Sequence, residues 1–176
     1  KKRKQSKAVP VSRQTRGDYY SSAKKRVIQK ASDLDPKLIG NRNVMIYAPY
    51  EAAFAPHNEG SRIVSILNGS GFEFEIDYYT NQNATVSVLK NLTNYGLVVL
   101  ATHGSGGKAF YTGEIVDTNS TEYQNSYKAL IKSNKLFIAL NMVIAQNGDE
   151  KTRANVYGVR GSFISDLAGS FPNSVI

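Results

Sequence analysis

Hydrophobic and polar positions change period several times along the chain, and each change marks an element. NVMIYAPY (43–50) is a short apolar run closed by Pro49, the pattern of a buried strand. In GSRIVSILNGSG (60–71), Ile63, Ile66 and Leu67 recur at helical spacing and Gly69 and Gly71 follow, which predicts a helix stopped by glycine. FEFEIDYY (72–79) alternates, with Phe72, Phe74 and Ile76 on one face and Glu73, Glu75 and Asp77 on the other, as a half-exposed edge strand does. NATVSVLKNL (83–92) offers Asn83 or Thr85 as a cap and then Val86, Leu89 and Leu92 at helical spacing. YGLVVLAT (95–102) is the most continuous apolar run, which predicts a central strand buried on both faces.

Strand, helix, strand, helix, strand at this spacing predicts an α/β fold with a mainly parallel sheet and covering helices. Beyond His103 the pattern loosens. AFYTGEIV (109–116) reads as a hairpin arm and SYKALIKS (126–133) as a helix. KLFIALNMVIAQ (135–146) leans to strand on its β-branched and aromatic content, and NGDE (147–150) turns it. GSFISDLAG (161–169) reads as a short helix with Phe163, Ile164 and Leu167 inward, and residues 173–176 open another strand.

Charge divides the chain. Of the 22 Lys/Arg, eleven lie in residues 1–30 beside a single acid, Asp18; the remainder faces 13 acids. The net +8 therefore belongs to an N-terminal arm or pro-segment, residues 1–35; residues 31–176 are faintly acidic and the domain of residues 36–176 carries no net positive charge. That argues against a nucleic-acid face on the domain. Residues 1–17 read as a polar tail, and 18–32 hold a weak helical pattern capped by Asp18. No apolar run is long enough to span a bilayer. Four Asn-x-Ser/Thr sequons, at Asn68, Asn83, Asn91 and Asn119, read as chance matches in an Asn- and Ser-rich chain.

The chain has two histidines and no cysteine. His103 stands at the exit of the most apolar strand, where ligands bind in open α/β sheets, and Gly104 follows it. A histidine there can exchange protons near neutral pH, and the glycine N–H beside it can hold an oxyanion. A histidine that merely caps a strand fits the same position. GSGGK (104–108) is not a phosphate-binding P-loop: the position of the first glycine is Thr102, and Ala109 follows Lys108. His57, in APHNEG, reads as a loop histidine; the two histidines have no metal-ligand spacing, and no cofactor is implied.

The order of elements over 43–104, ending in LVVLATHG, resembles the first three β-α units of caspase-like cysteine peptidases, the group of caspases, metacaspases, gingipains, clostripain, separase and CHAT proteins. The resemblance implies a three-layer fold with sheet order 2-1-3-4 and a catalytic Cys-His dyad. It makes His103 the catalytic histidine, gives the Gly104 N–H an oxyanion role, and implies a protein or peptide substrate. GSFISDLAGSFPNSVI resembles the helix and fourth strand that precede the family's catalytic cysteine. That cysteine is absent from these 176 residues, so the expectation is an incomplete chain, with the nucleophile further on or in a second chain. Glu51, in the loop after the first strand, would suit Lys or Arg in the family's specificity pocket, and such an enzyme would find cleavage sites in the basic arm. The competing reading is a catalytically inactive caspase-like or flavodoxin-like binding module.

Overall fold

The computed structural model describes residues 41–167. The expected arm, its helix over 18–32 and the strand at 173–176 lie outside the described residues.

The first part of the chain is a parallel sheet. Strand β1 (Asn43–Ala48) pairs in parallel with β2 (Glu75–Thr80) on one side and β3 (Leu97–Leu100) on the other, giving the order 2-1-3. The expected order holds for these three strands. The centre, however, is β1 rather than the 95–102 run: Val44 to Ala48 are all buried, whereas β3 is half-buried and at the edge among the described residues. β2 is the edge strand its alternation predicts, with Glu75 and Asp77 exposed.

Short helix α1 (Glu51–Phe54) and helix α2 (Glu59–Asn68) connect β1 to β2. On α2, Gly60, Ile63, Val64 and Leu67 form the inward stripe at helical spacing. Ile66, read from sequence as part of that stripe, is 62% exposed because it falls outside this arc. The connection to β3 is not the single helix expected over 83–92. It is a 3-10 turn (Asn81–Asn83), one turn of helix α3 (Val86–Leu89) and another 3-10 turn (Leu92–Asn94). Thr85 caps α3 through its hydroxyl, 3.3 Å from the Val88 N–H, and the Glu114 carboxylate accepts the Val86 N–H at 2.8 Å.

The second part is antiparallel, which the expectation of one mainly parallel sheet did not include. β4 (Gly104–Ser105), β5 (Ala109–Ile115), β6 (Leu136–Asn147) and β7 (Glu150–Arg160) form a four-stranded sheet of order β4-β5-β7-β6. The expected hairpin arm is β5, and the expected strand over 135–146 is β6. β7 has no counterpart in the sequence reading. Its first half is polar and its second half, Val156 to Val159, is buried on both faces, so it never shows one clean period. Register shifts in the β5–β7 and β6–β7 ladders curl the sheet. A π-helical turn (Tyr123–Tyr127) runs into α4 (Lys128–Lys132), and α5 (Gly161–Ser165) follows β7.

The main core fills the space between the sheets. Met45 and Tyr47 of β1 meet Val86 and Leu89 of α3 and, from the second sheet, Leu136, Tyr157 and Val159. Buried tyrosines are anchored by their hydroxyls: Tyr47 donates to the Ala84 carbonyl at 2.7 Å and Tyr50 to the Thr112 carbonyl at 3.1 Å. A second cluster lies on the other face of the antiparallel sheet, where Tyr50 packs with Ala139, Ile144 and Val156 against Tyr111 and Phe137. Gly158 is required there. A Cβ at that position would sit 2.2 Å from the Phe137 ring, which lies directly over the glycine.

Candidate active site

Parallel strands in the order 2-1-3, joined by right-handed crossovers, send the connections from β1 and from β2 to opposite faces. A crevice opens beyond the carboxyl ends of β1 and β3, where the chain after β1 turns towards β2 while the chain after β3 runs on into β4. In this protein that crevice is a cavity of about 230 Å³. One wall comes from the chain after β1: Tyr50, Glu51, Phe54, His57, Asn58, Glu59 and Gly60. The other comes from the chain after β3: Ala101, Thr102 and His103.

His103 occupies the three-residue join between the two sheets. On one side the Ala101 N–H donates to the Tyr47 carbonyl of β1 at 2.9 Å. On the other, the Tyr111 N–H of β5 donates to the His103 carbonyl at 3.1 Å, and the Thr102 hydroxyl donates to the Tyr111 carbonyl at 2.6 Å. The backbone is thus clamped from both sheets while the imidazole stays exposed. The ring packs against Tyr50 and Phe54, each with centroids 4.9 Å away. Tyr50 is a fixed wall, fully buried, and its burial raises the hydroxyl well above the usual tyrosine range. Among the described residues no side chain is hydrogen-bonded to the His103 imidazole.

Hydrogen-bonded and non-bonded pairs alternate along an antiparallel ladder. Because His103 and Tyr111 form a bonded pair, Gly104, opposite Phe110, is a non-bonded position. β4 is the edge strand, so the Gly104 N–H is turned away from β5. The following GSGGK stretch is a hairpin turn: the Lys108 N–H donates to the Ser105 carbonyl at 3.0 Å, and Gly106 and Gly107 take φ of +55° and +69°. Those values lie in the left-handed region, which glycine adopts without strain.

The structure brings together residues the sequence leaves apart. His57, read as a loop histidine, is on a loop and exposed, yet it lines the same cavity as His103. Glu51 also lines the cavity, and its Oε1 accepts the Ser61 N–H of α2 at 3.3 Å, so it fastens the helix as well as facing the crevice. The Tyr78 hydroxyl beside it is raised well above the usual range by burial and by the Glu51 carboxylate. Gly60 permits this contact, since a Cβ would meet Glu51 and the Tyr78 ring at 2.8 Å. The sequence reading missed Tyr50, Phe54 and Asn58, whose Oδ1 is buried without a partner among the described residues. The available signal was YEAAF, aromatic positions four apart directly after the strand. No group of three His, Asp or Glu side chains among the described residues is placed to hold a metal ion, and no described helix is long and apolar enough to cross a membrane.

Comparison with protein-family models, curated proteins and solved structures finds no match to this chain.

Proposed function

We propose that the chain carries the histidine half of a caspase-like cysteine endopeptidase site. The observation that supports this is the pairing of an exposed imidazole, His103, with an outward-turned N–H, Gly104, beyond the carboxyl ends of parallel strands of order 2-1-3. The reading includes the finer architecture: three layers and a fourth parallel strand beside β3, order 2-1-3-4, assigned from sequence to residues 173–176. The nucleophile is a cysteine supplied by sequence outside these 176 residues, in the same polypeptide or in a second chain.

In this reaction His103 takes the thiol proton and the thiolate attacks the carbonyl carbon. The Gly104 N–H binds the oxyanion that forms. As the C–N bond breaks, His103 returns the proton to the leaving amine. Water, deprotonated by His103, then cleaves the thioester and releases the acid, and the proton goes back to the thiolate. Glu51 gives the cavity wall a negative charge suited to a Lys or Arg side chain near the cleaved bond.

The test is peptide hydrolysis by the protein including its cysteine-bearing sequence. Thiol-dependent cleavage that His103→Ala removes is expected; equal cleavage by that variant overturns the reading. The absence of cysteine here favours one alternative, a catalytically inactive binding module in the same crevice. It predicts no hydrolysis and no covalent labelling by a peptide electrophile.

A further inference from the structure

In the proposed reaction His103 presents its ring first to a thiol and then to a leaving amine, yet an exposed imidazole turns about two side-chain bonds. With no side chain hydrogen-bonded to it among the described residues, the ring takes its orientation from packing. Tyr50 is the cap of α1 and Phe54 its last residue, four positions on. The Phe54 N–H donates to the Tyr50 carbonyl at 3.1 Å, so the two side chains rise from one side of a single helical turn. The His103 imidazole meets both rings at centroid distances of 4.9 Å, its plane tilted by 58° to Tyr50 and by 53° to Phe54. One ring alone would let the imidazole slide and pivot over it. Two rings at different places define both its position and its plane.

The two rings are not equivalent. Tyr50 is fully buried and its hydroxyl is tied to the Thr112 carbonyl, so the core needs it whatever His103 does. Phe54 is 45% exposed, on a helix with no buried residue. An apolar ring left half in water gains only part of the stabilisation that full burial gives. Its backbone is nevertheless well held. The Ala52 N–H donates to the Asn81 Oδ1 at 2.8 Å, which ties the turn to the chain after β2, and the His57 N–H donates to the Phe54 carbonyl at 2.7 Å. Of the exposed large apolar side chains among the described residues, Phe54 lines the His103 cavity, and Ile66, Ile115 and Leu140 do not. Phe54 thus contributes little to the core and is fixed against the one imidazole that faces the crevice beyond β3.

We infer that Phe54 is a positioning residue: with Tyr50 behind it, its ring holds the His103 imidazole in the orientation that takes the thiol proton and returns it to the leaving amine. The inference rests on the peptidase reading of His103. Orientation is worth large factors in rate, and a misplacement of about 1 Å can cost ~10²-fold. Acting through His103, Phe54 governs turnover and not peptide binding.

The experiment has two arms, both on the protein with its cysteine-bearing sequence. In the first, Phe54→Ala should lower kcat about tenfold or more with KM unchanged, on peptides of different sequence alike. Phe54→Tyr, which keeps the ring, should restore kcat. An unchanged kcat in Phe54→Ala overturns the inference. So does a raised KM with kcat intact, the mark of a residue that binds substrate. If Phe54→Ala does not fold, Phe54→Leu, which keeps apolar bulk without a flat ring, decides by the same split. The second arm needs no activity: nuclear magnetic resonance relaxation reads how firmly each imidazole is held on the ps–ns timescale. His57 is exposed in the same cavity and has no ring contact among the described residues, so it is the internal reference. The His103 ring should be the more rigid of the two, and Phe54→Ala should loosen it towards the level of His57 while His57 stays as it was. Equal mobility in the wild type, or a His103 rigidity that Phe54→Ala leaves unchanged, overturns the inference. If the wild type cleaves no peptide while Phe54→Ala loosens His103, the peptidase reading fails and the hold of Phe54 on His103 stands.

Discussion

In the proposed reaction His103 concentrates the chemistry, and its side chain faces the crevice rather than the core. His103→Ala should therefore lower kcat/KM for peptide hydrolysis by about 10²–10⁴, the usual worth of a general acid–base group. Its melting temperature should fall only as far as the lost packing on Tyr50 and Phe54 requires, about 1 kcal/mol. Glu114 is the residue whose ionisation bears on stability. Burial is the largest influence on it and raises its carboxyl above the ordinary value, although the Val86 N–H and the Tyr127 hydroxyl favour the anion. A carboxyl with a raised folded pKa binds more protons folded than unfolded, so its contribution is fullest below the unfolded value, near pH 4, and is lost as pH rises through the folded value. Glu114→Gln keeps an acceptor for Val86 and should remove that loss: thermal melts from pH 4 to pH 8 should show a shallower decline than the wild type, and parallel curves would refute the assignment. At this scale the sequence was informative where chemistry is rare. One of only two histidines follows the most apolar run and precedes a glycine. It was silent on Tyr50, Phe54 and Asn58, because nothing local says which residues of a loop will face a histidine some fifty positions later.

Among the elements, the β6–β7 pair depends on one ring. Phe137 covers Gly158 across the ladder and supports Arg160 on the same face. Gly158→Ala should force the ring aside and destabilise by about 1–3 kcal/mol. Combined with Phe137→Ala, whose smaller side chain leaves room, the two costs should sum to less than the separate values by more than about 0.5 kcal/mol. Chemical denaturation of the four proteins in the cycle measures this, and strict additivity would show that the contact is not what excludes a side chain at 158. The same pair shows why part of the fold was hard to read. β1 to β3 each carry a single pattern, so their period survives in the sequence. β7 begins in solvent and ends between two packed faces, and its covering is set by β5 and β6 rather than by its own residues. Likewise the segment 83–92 keeps helical spacing at Val86, Leu89 and Leu92, yet Asn81–Asn83 and Leu92–Asn94 close into 3-10 turns that spacing alone does not announce.

For the whole molecule, charge and fold are separable. Eleven Lys/Arg lie in residues 1–30, whereas the described residues hold ten against eleven acids. A chain beginning at residue 31 should pass through a polyanion column at about 0.15 M salt, and the full chain should be retained there and released by higher salt. Retention of the shortened chain would place a basic binding face on the domain. The α/β class and the parallel strands were legible because local periods and short connections carry them, and the 2-1-3 order was an expectation from the resemblance alone; the second sheet was not legible, since its pairings, such as Phe110 with Val159, join residues far apart in the chain. The three-residue join at His103 has a consequence for how the protein fails under stress. The hydrogen bonds that aim the histidine, from Ala101 to Tyr47 and from Tyr111 to His103, belong to different sheets. If the join opens locally while the core between the sheets stays packed, each sheet keeps its own ladder, so far-ultraviolet circular dichroism barely changes, while the imidazole loses its bearing. On a gradient of urea, loss of the proposed peptidase activity should then run ahead of unfolding, and the amides of Ala101 and Tyr111 should exchange with heavy water together, sooner than those within β1.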